Sequence, residues 1–314
     1  MGFYALSYLC ILVFVLAAGY RVYRQMTLPV HVRWEIYPVQ HETTDKLAHG
    51  GSYMEDLNWW EKKHGSSLFN EIKYMVPEIL FIRGLWKENR NLWRVSFPFH
   101  FGLYLMIGTC GLLVLNAFLV LWGGNTVPAD GAIRTLLNGL IVSVGWIGLV
   151  LGVIGSAGTL CRRLADRDLR DYSSFIDYFN ILFILLFFLS AFLTSLFVDP
   201  LLEGAKAYVF GLLTGGGSLN GYVPGQTFCG GATIILASLL VAYVPLTHMS
   251  HMFMKYFLYH NVKWDDAPNL RGGTIEAAIR KNLALKPTWK AKHIEGDGRK
   301  SWLDIASSAP KEMK

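Results

Sequence analysis

Five apolar stretches, near residues 3–20, 97–122, 136–160, 179–199 and 229–257, are each long enough to cross a bilayer, which takes about 20 residues of helix. A polypeptide inside hydrocarbon must satisfy its own backbone, so such stretches fold as helices. The expectation is an all-α integral membrane protein with five transmembrane helices. Residues 1–20 form a first anchor, 21–96 a cytoplasmic loop, 97–257 a four-helix bundle of spans two to five, and 258–314 a cytoplasmic tail. The first stretch has no basic residue ahead of it, and its charges, Arg21 and Arg24, follow it. That order reads as an uncleaved anchor with its N-terminus outside.

The net charge is +6, and its distribution excludes a nucleic-acid reading. Basic residues crowd 21–96, the connection 161–178 and the tail, whereas 123–135 holds only Arg134 and 200–228 only Lys206. Lys and Arg concentrate in cytoplasmic loops, so the alternation places the N-terminus outside and the C-terminus in the cytoplasm; the expected location is the cell inner membrane. The four cysteines make no CxxC pair, which excludes a zinc ribbon, a four-cysteine iron–sulfur motif and covalently attached haem. No phosphate-binding glycine motif occurs in a strand–helix context. The absence of an internal repeat disfavours an inverted-repeat transporter. Within 21–96 the stretch "SSLFNEIKYMVPEILFIRGLWKENRNLW" spaces its apolar and aromatic residues helically. It reads as one or two amphipathic helices on the membrane surface, broken or kinked at Pro77. A short helix is expected near 274–285.

Histidines in the spans carry the chemistry. Of nine, His31, His41, His49, His64 and His293 fall in cytoplasmic segments and His260 just past the last span. His100, His248 and His251 remain. His100 lies six residues inside Arg94, roughly 9 Å at helical rise, and His251 four residues before Lys255, roughly 6 Å. Matched depth on two spans meeting the same face is what the two axial ligands of one haem b require. The plainer reading is that each bonds a nearby Ser, Thr or carbonyl. His248, one turn deeper, is a competing ligand or a partner for a haem propionate. Arg94, Arg162, Arg163 and Lys255 lie at the right face to neutralise propionates, and each also serves as a positive-inside anchor. No histidine occurs between 101 and 247, so a second bis-histidine haem cannot be assembled; Met106, Cys110 and Cys229 are the conceivable substitutes. Tyr104, Trp146 and Asn138 are candidates to line a quinone site.

"FPFHFGLYLMIG" on span two, "RRLADRDLRDYSSFIDYFNILFILL" before and into span four, and "VPLTHMSHMF" at the end of span five resemble the gamma subunit of respiratory nitrate reductase. They are still more similar to the membrane cytochrome b subunits of heterodisulfide-reductase-related complexes in sulfate reducers and methanogens. The tail "PTWKAKHIEGDGRKSWLDIAS" resembles a Trp–His–Trp segment of that second group. The resemblance covers most of 95–305. It implies His100 and His251 as the inner-haem ligands, and it puts the outer-haem positions on Cys110 and Thr233, neither a usual haem ligand. It further implies a cytoplasmic iron–sulfur subunit as partner, a menaquinone in the membrane as substrate, and a link to a periplasmic multihaem cytochrome c, in anaerobic respiration of the sulfate-reduction type. The competing class is a haem-free membrane anchor or transporter subunit. Against transport, the spans hold no Asp or Glu except at edges such as Asp177 and Asp199.

Overall fold

The computed structural model describes residues 2–27, 42–62, 65, 67–122, 131–219, 221–263, 270–291 and 294–308. His31, His41, His64 and His293 lie outside them. In chain order the helices are α1 (Gly2–Met26), α2 (Thr44–His49), α3 (Leu68–Leu80), α4 (Arg83–Glu88), α5 (Arg90–Trp122), α6 (Ala132–Ala165), α7 (Arg167–Asp171), α8 (Phe175–Phe197), α9 (Glu203–Leu213), α10 (Phe228–Leu246), α11 (His251–Phe257), α12 (Thr274–Leu283) and α13 (Trp302–Ser307). A two-residue antiparallel pair, β1 (Lys290–Ala291) with β2 (Ile294–Glu295), interrupts the tail. Five helices are long and apolar enough to cross a membrane: α1, α5, α6, α8 and α10. Their large apolar side chains are widely exposed, as lipid-facing helices require.

Two compact units divide the chain: Met1–Ala18 with Met75–Met249, and Gly19–Tyr74 with Ser250–Lys314. In the first, α5 packs on α6, α6 on α8, and α8 on α10. The α5–α6 seam is built on glycine. A Cβ on Gly102 would sit 2.6 Å from the Gly152 nitrogen, and one on Gly155 would strike the backbone of Phe99. A Cβ on Gly152 would strike the ring of Phe188, which is fully buried. Lipid tails are as apolar as leucine, so helices in a bilayer associate by close van der Waals packing, which small residues permit. Phe188 then gathers Leu149, Ile184, Phe187, Ala191 and Leu240 into the main core.

The end of the bundle away from Arg94 is closed by the segment leading into α9. Leu202 adopts φ +57° and is 7% exposed. Its side chain reaches to where a Gly145 Cβ would be, 2.7 Å away, and joins Leu113, Leu137 and Ile141. The left-handed conformation costs a β-carbon residue about 1–2 kcal/mol; burial of the leucine, worth about 1.5–3 kcal/mol, offsets it. Trp146 Nε1 donates to the Pro200 carbonyl at 2.9 Å in the same place. α1 docks here too: Tyr4 stacks on Tyr208 at 5.0 Å, and Ser7 bonds the Tyr208 and Ser238 hydroxyls at 2.8 and 2.6 Å.

Span five is shorter than its apolar run suggests. Pro245 removes one helix donor in the last turn, Thr247 turns extended (ψ −179°), and a single 3₁₀ turn, His248–Ser250, follows before α11 starts afresh at His251. The sequence expectation of one helix over 229–257 is corrected to Phe228–Leu246. His251 belongs to α11 and to the second unit, so depth counted back from Lys255 along one straight helix does not apply to it. The other spans extend beyond their apolar cores, α5 beginning at Arg90 rather than 97.

In the second unit, Lys46 pairs with Asp56 at 2.7 Å, His49 with Glu55 at 2.8 Å, and the Arg271 guanidinium lies over the Trp60 ring. The hairpin after Leu285 is tied by Trp302 N–H donating to the Leu285 carbonyl at 2.9 Å.

Gly155→Leu should destabilise the bundle by about 1–3 kcal/mol through overpacking, read as a lower midpoint in detergent unfolding, whereas Gly139→Leu, with nothing near its Cβ, should leave the midpoint unchanged. The Glu55 carboxylate, first by hydrogen bond and then by charge, raises the His49 imidazole above its ordinary 6.5. A raised folded value means that the pair favours the folded turn below about pH 6.5 and loses that contribution as pH rises through the elevated value. NMR titration should place the His49 midpoint above 6.5, and Glu55→Gln should bring it down.

Candidate functional site

His100 stands on α5 one turn past Ser96 and two residues past Pro98, a helix-interior proline. Its Nδ1 lies 2.8 Å from the Ser96 carbonyl oxygen. A carbonyl only accepts, so Nδ1 carries the proton and donates, and in the neutral ring Nε2 carries the lone pair. This is how proteins orient an imidazole for a metal: the second nitrogen is fixed by a backbone acceptor. The ring is half-buried and meets Phe99 edge-on at 5.1 Å. Because Gly155 abuts the Phe99 backbone, His100 sits beside the tightest contact of the α5–α6 seam.

Arg162 lies at the same end. Thr159 Oγ1 on α6 donates to the Val95 carbonyl on α5 at 3.5 Å, and a Gly158 Cβ would meet Val95 at 3.0 Å. Arg94 is the neighbour of Val95, and Arg162 stands one turn beyond Gly158. The Arg162 Nη2 donates to Asp166 at 3.0 Å, while its Nε is buried with no hydrogen-bond partner among the described residues. Such a donor is costly unless something accepts from it. Arg94 is exposed.

His248 belongs to a cluster that α8 and α10 assemble together. Asp177 and Ser174 form a capping box at the start of α8. Arg163 donates to the Ser173 hydroxyl at 2.8 Å and lies 3.9 Å from Asp177 Oδ2. Asn180, 4% exposed, accepts from the Tyr243 hydroxyl at 2.8 Å, and its Nδ2 lies 3.5 Å from His248 Nε2. Asp177 Oδ1 is 3.9 Å from the same nitrogen. An amide nitrogen only donates, so His248 Nε2 is the acceptor in the contact with Asn180.

His251 and Lys255 lie in the second unit. His251 is exposed and opens α11. The Lys255 ammonium lies 5.7 Å from the Tyr259 ring, which in turn meets Tyr74 edge-on.

The structure brings His100, Arg94 and Arg162 to one end of the α5–α6 pair, and His248 into the α8–α10 cluster. Tyr104 donates to the Ile79 carbonyl at 2.9 Å and Trp146 to the Pro200 carbonyl, so the polar tips of both serve main-chain groups. At the position that the resemblance assigns to the outer haem, Thr233 bonds the Ser190 and Thr194 hydroxyls, each at 2.9 Å, and donates to the Cys229 carbonyl. Those hydroxyls join α8 to α10 directly. Sequence reasoning passed over Asn180 and Tyr243; the signal was a lone amide inside the run "YFNILFILL". No group of three or more histidine, cysteine or acidic side chains placed to hold a metal ion occurs among the described residues. No protein-family model, no curated protein and no solved structure matches this chain.

Tyr243→Phe and Asn180→Leu should each weaken α8–α10 association, and a double-mutant cycle should give a coupling of about 0.5–1.5 kcal/mol. Steric trapping in bilayers measures it; a coupling near zero removes the bond from the account.

Proposed function

We propose that this chain is a membrane cytochrome b subunit that exchanges electrons between a membrane quinone and a cytoplasmic iron–sulfur subunit. The observation that carries the reading is the His100 Nδ1–H donated to the Ser96 carbonyl inside a membrane span, the second-nitrogen anchoring that metal-ligating imidazoles use. A haem b iron held by two imidazoles passes single electrons and takes no substrate.

His100 is the first ligand, oriented by Ser96 and kept rigid by the glycine seam behind Phe99. His251 is the second, on resemblance. Arg162, with a buried Nε in need of an acceptor, suits a propionate, with Arg94 and Arg163 adding positive charge near it and Lys255 kept as a candidate on the sequence pattern alone. His248, engaged with Asn180 and Asp177, is left to hydrogen bonding rather than to iron. The Thr233 hydroxyl cluster supports a single haem, because it fills the outer-haem position with the chain's own groups. Anaerobic respiration, menaquinone, a heterodisulfide-reductase-like iron–sulfur partner and a periplasmic multihaem cytochrome c follow from the resemblance. So do the cell inner membrane and the cytoplasmic C-terminus, with the positive-inside pattern in support.

The His100 bond also supports a second reading, a haem-free membrane anchor, since a carbonyl one turn back satisfies an imidazole with no metal. A reduced-minus-oxidised spectrum of the purified chain separates the two. Under the first, a sharp b-type α band appears, pyridine haemochrome gives one haem per chain, and His100→Ala or His251→Ala abolishes the band while His248→Ala retains it. Retention of the band in both of the first two variants would sink the ligand assignment, and no band at all favours the anchor.

A further inference from the structure

The turn between α3 and α4 has three main-chain groups that the helices leave unmatched, and a side chain meets each. The Tyr104 hydroxyl donates to the Ile79 carbonyl at 2.9 Å. The Trp93 indole N–H donates to the Phe81 carbonyl at 2.7 Å. The Glu78 carboxylate accepts from the Gly84 N–H at 2.9 Å. In water a surface turn leaves such groups to solvent; in a lipid leaflet each must be satisfied by protein.

Depth points the same way. Tyr104 lies ten residues beyond Arg94, about 15 Å along α5, and a helical tyrosine points back toward its N-terminus. That puts the Ile79 carbonyl on the hydrocarbon side of Arg94. The turn is clasped to α5 by rings: Phe81 stacks on Phe97 at 6.3 Å, and Phe97 stacks on Trp93 at 4.7 Å and on Phe101 at 5.3 Å. Val76, Leu80, Phe81 and Trp86 are nevertheless 38–51% exposed. The cations stand on α4 and at the start of α5. Arg83, Lys87 and Arg90 are exposed, and the Arg90 guanidinium covers the Trp86 ring at 5.0 Å. Aromatic rings at the headgroup level with basic residues just outside are the pattern of a membrane-interface anchor.

We infer that residues 76–90 form a re-entrant interfacial element: its apolar side is embedded in the leaflet at the basic end of the bundle, and Arg83, Lys87 and Arg90 bind anionic phospholipid headgroups. The occupant of this surface is lipid, not a partner subunit. The inference stands apart from any cofactor and holds whether or not the chain carries haem.

Nitroxide labels on the full chain in nanodiscs test the embedding. Labels at Val76→Cys and Phe81→Cys, in a background with the native cysteines replaced, should be relaxed by oxygen far more than by a water-soluble nickel chelate, like a reference label at the lipid-facing Leu115→Cys. A Lys87→Cys label should show the reverse. Preference for the nickel chelate at 76 and 81, or shielding from both agents, overturns the embedding. For the headgroups, native mass spectrometry of the protein from mixed phosphatidylglycerol–phosphatidylcholine vesicles should show preferential retention of phosphatidylglycerol. That retention should fall at least threefold in the unlabelled triple variant Arg83→Gln, Lys87→Gln, Arg90→Gln. Equal retention of the two lipids, or no loss in the variant, overturns the headgroup assignment.

Discussion

The close approach of α5 and α6 governs the rest of the first unit. With hydrogen in place of Cβ at Gly102, Gly152 and Gly155, two backbones touch where ordinary side chains would hold helix axes 8–10 Å apart. The ring of Phe188 fits the hollow that Gly152 leaves, and so registers α8 on the pair. α10 follows through Ser190, Thr194 and Thr233 near one end and Asn180 and Tyr243 near the other. His100 inherits its position from this chain of contacts, since the residue beside it is the one that Gly155 abuts.

The spans were legible because length and composition alone decide whether a segment can leave water, and all five recur as helices. The amphipathic stretch around Pro77 was legible in the same way, as was α12. What escaped the sequence was set by partners distant along the chain. Nothing local marks Asn180 as bonded to Tyr243, 63 residues away. Span five misled because its apolar run continues past the place where Pro245 and Thr247 end the helix; hydropathy reports solubility in lipid and is blind to a lost backbone donor. That error moved His251 onto the wrong helix while leaving His100, on an uninterrupted one, where the pattern put it. The main-chain bond that fixes the His100 tautomer was within reach of sequence, since a helical histidine always has a carbonyl four residues back.

Polar groups in this protein divide by role according to their neighbours. Thr233, Ser190 and Thr194 use their hydroxyls on each other and on nearby carbonyls, and act as inter-helix ties. Arg162 has a buried donor with no hydrogen-bond partner among the described residues, and His100 has its Nδ1 tied to a main-chain carbonyl. Groups of the first kind explain why the helices stay together; those of the second are the ones through which a cofactor would be recognised. Trp146 and Tyr104 have one polar atom each, and both spend it on a main-chain carbonyl.

The leucine wedge at Leu202 makes the molecule two-faced. One mouth of the bundle is stopped by an aliphatic side chain held in a strained backbone and locked by the Trp146–Pro200 bond. The other displays imidazole, guanidinium and carboxylate groups within a few turns of each other. The stopped end has charges of its own, but they are turned on one another: Lys206 pairs with Glu203 at 2.8 Å, and the Asp199 carboxylate accepts from the Ala205 N–H.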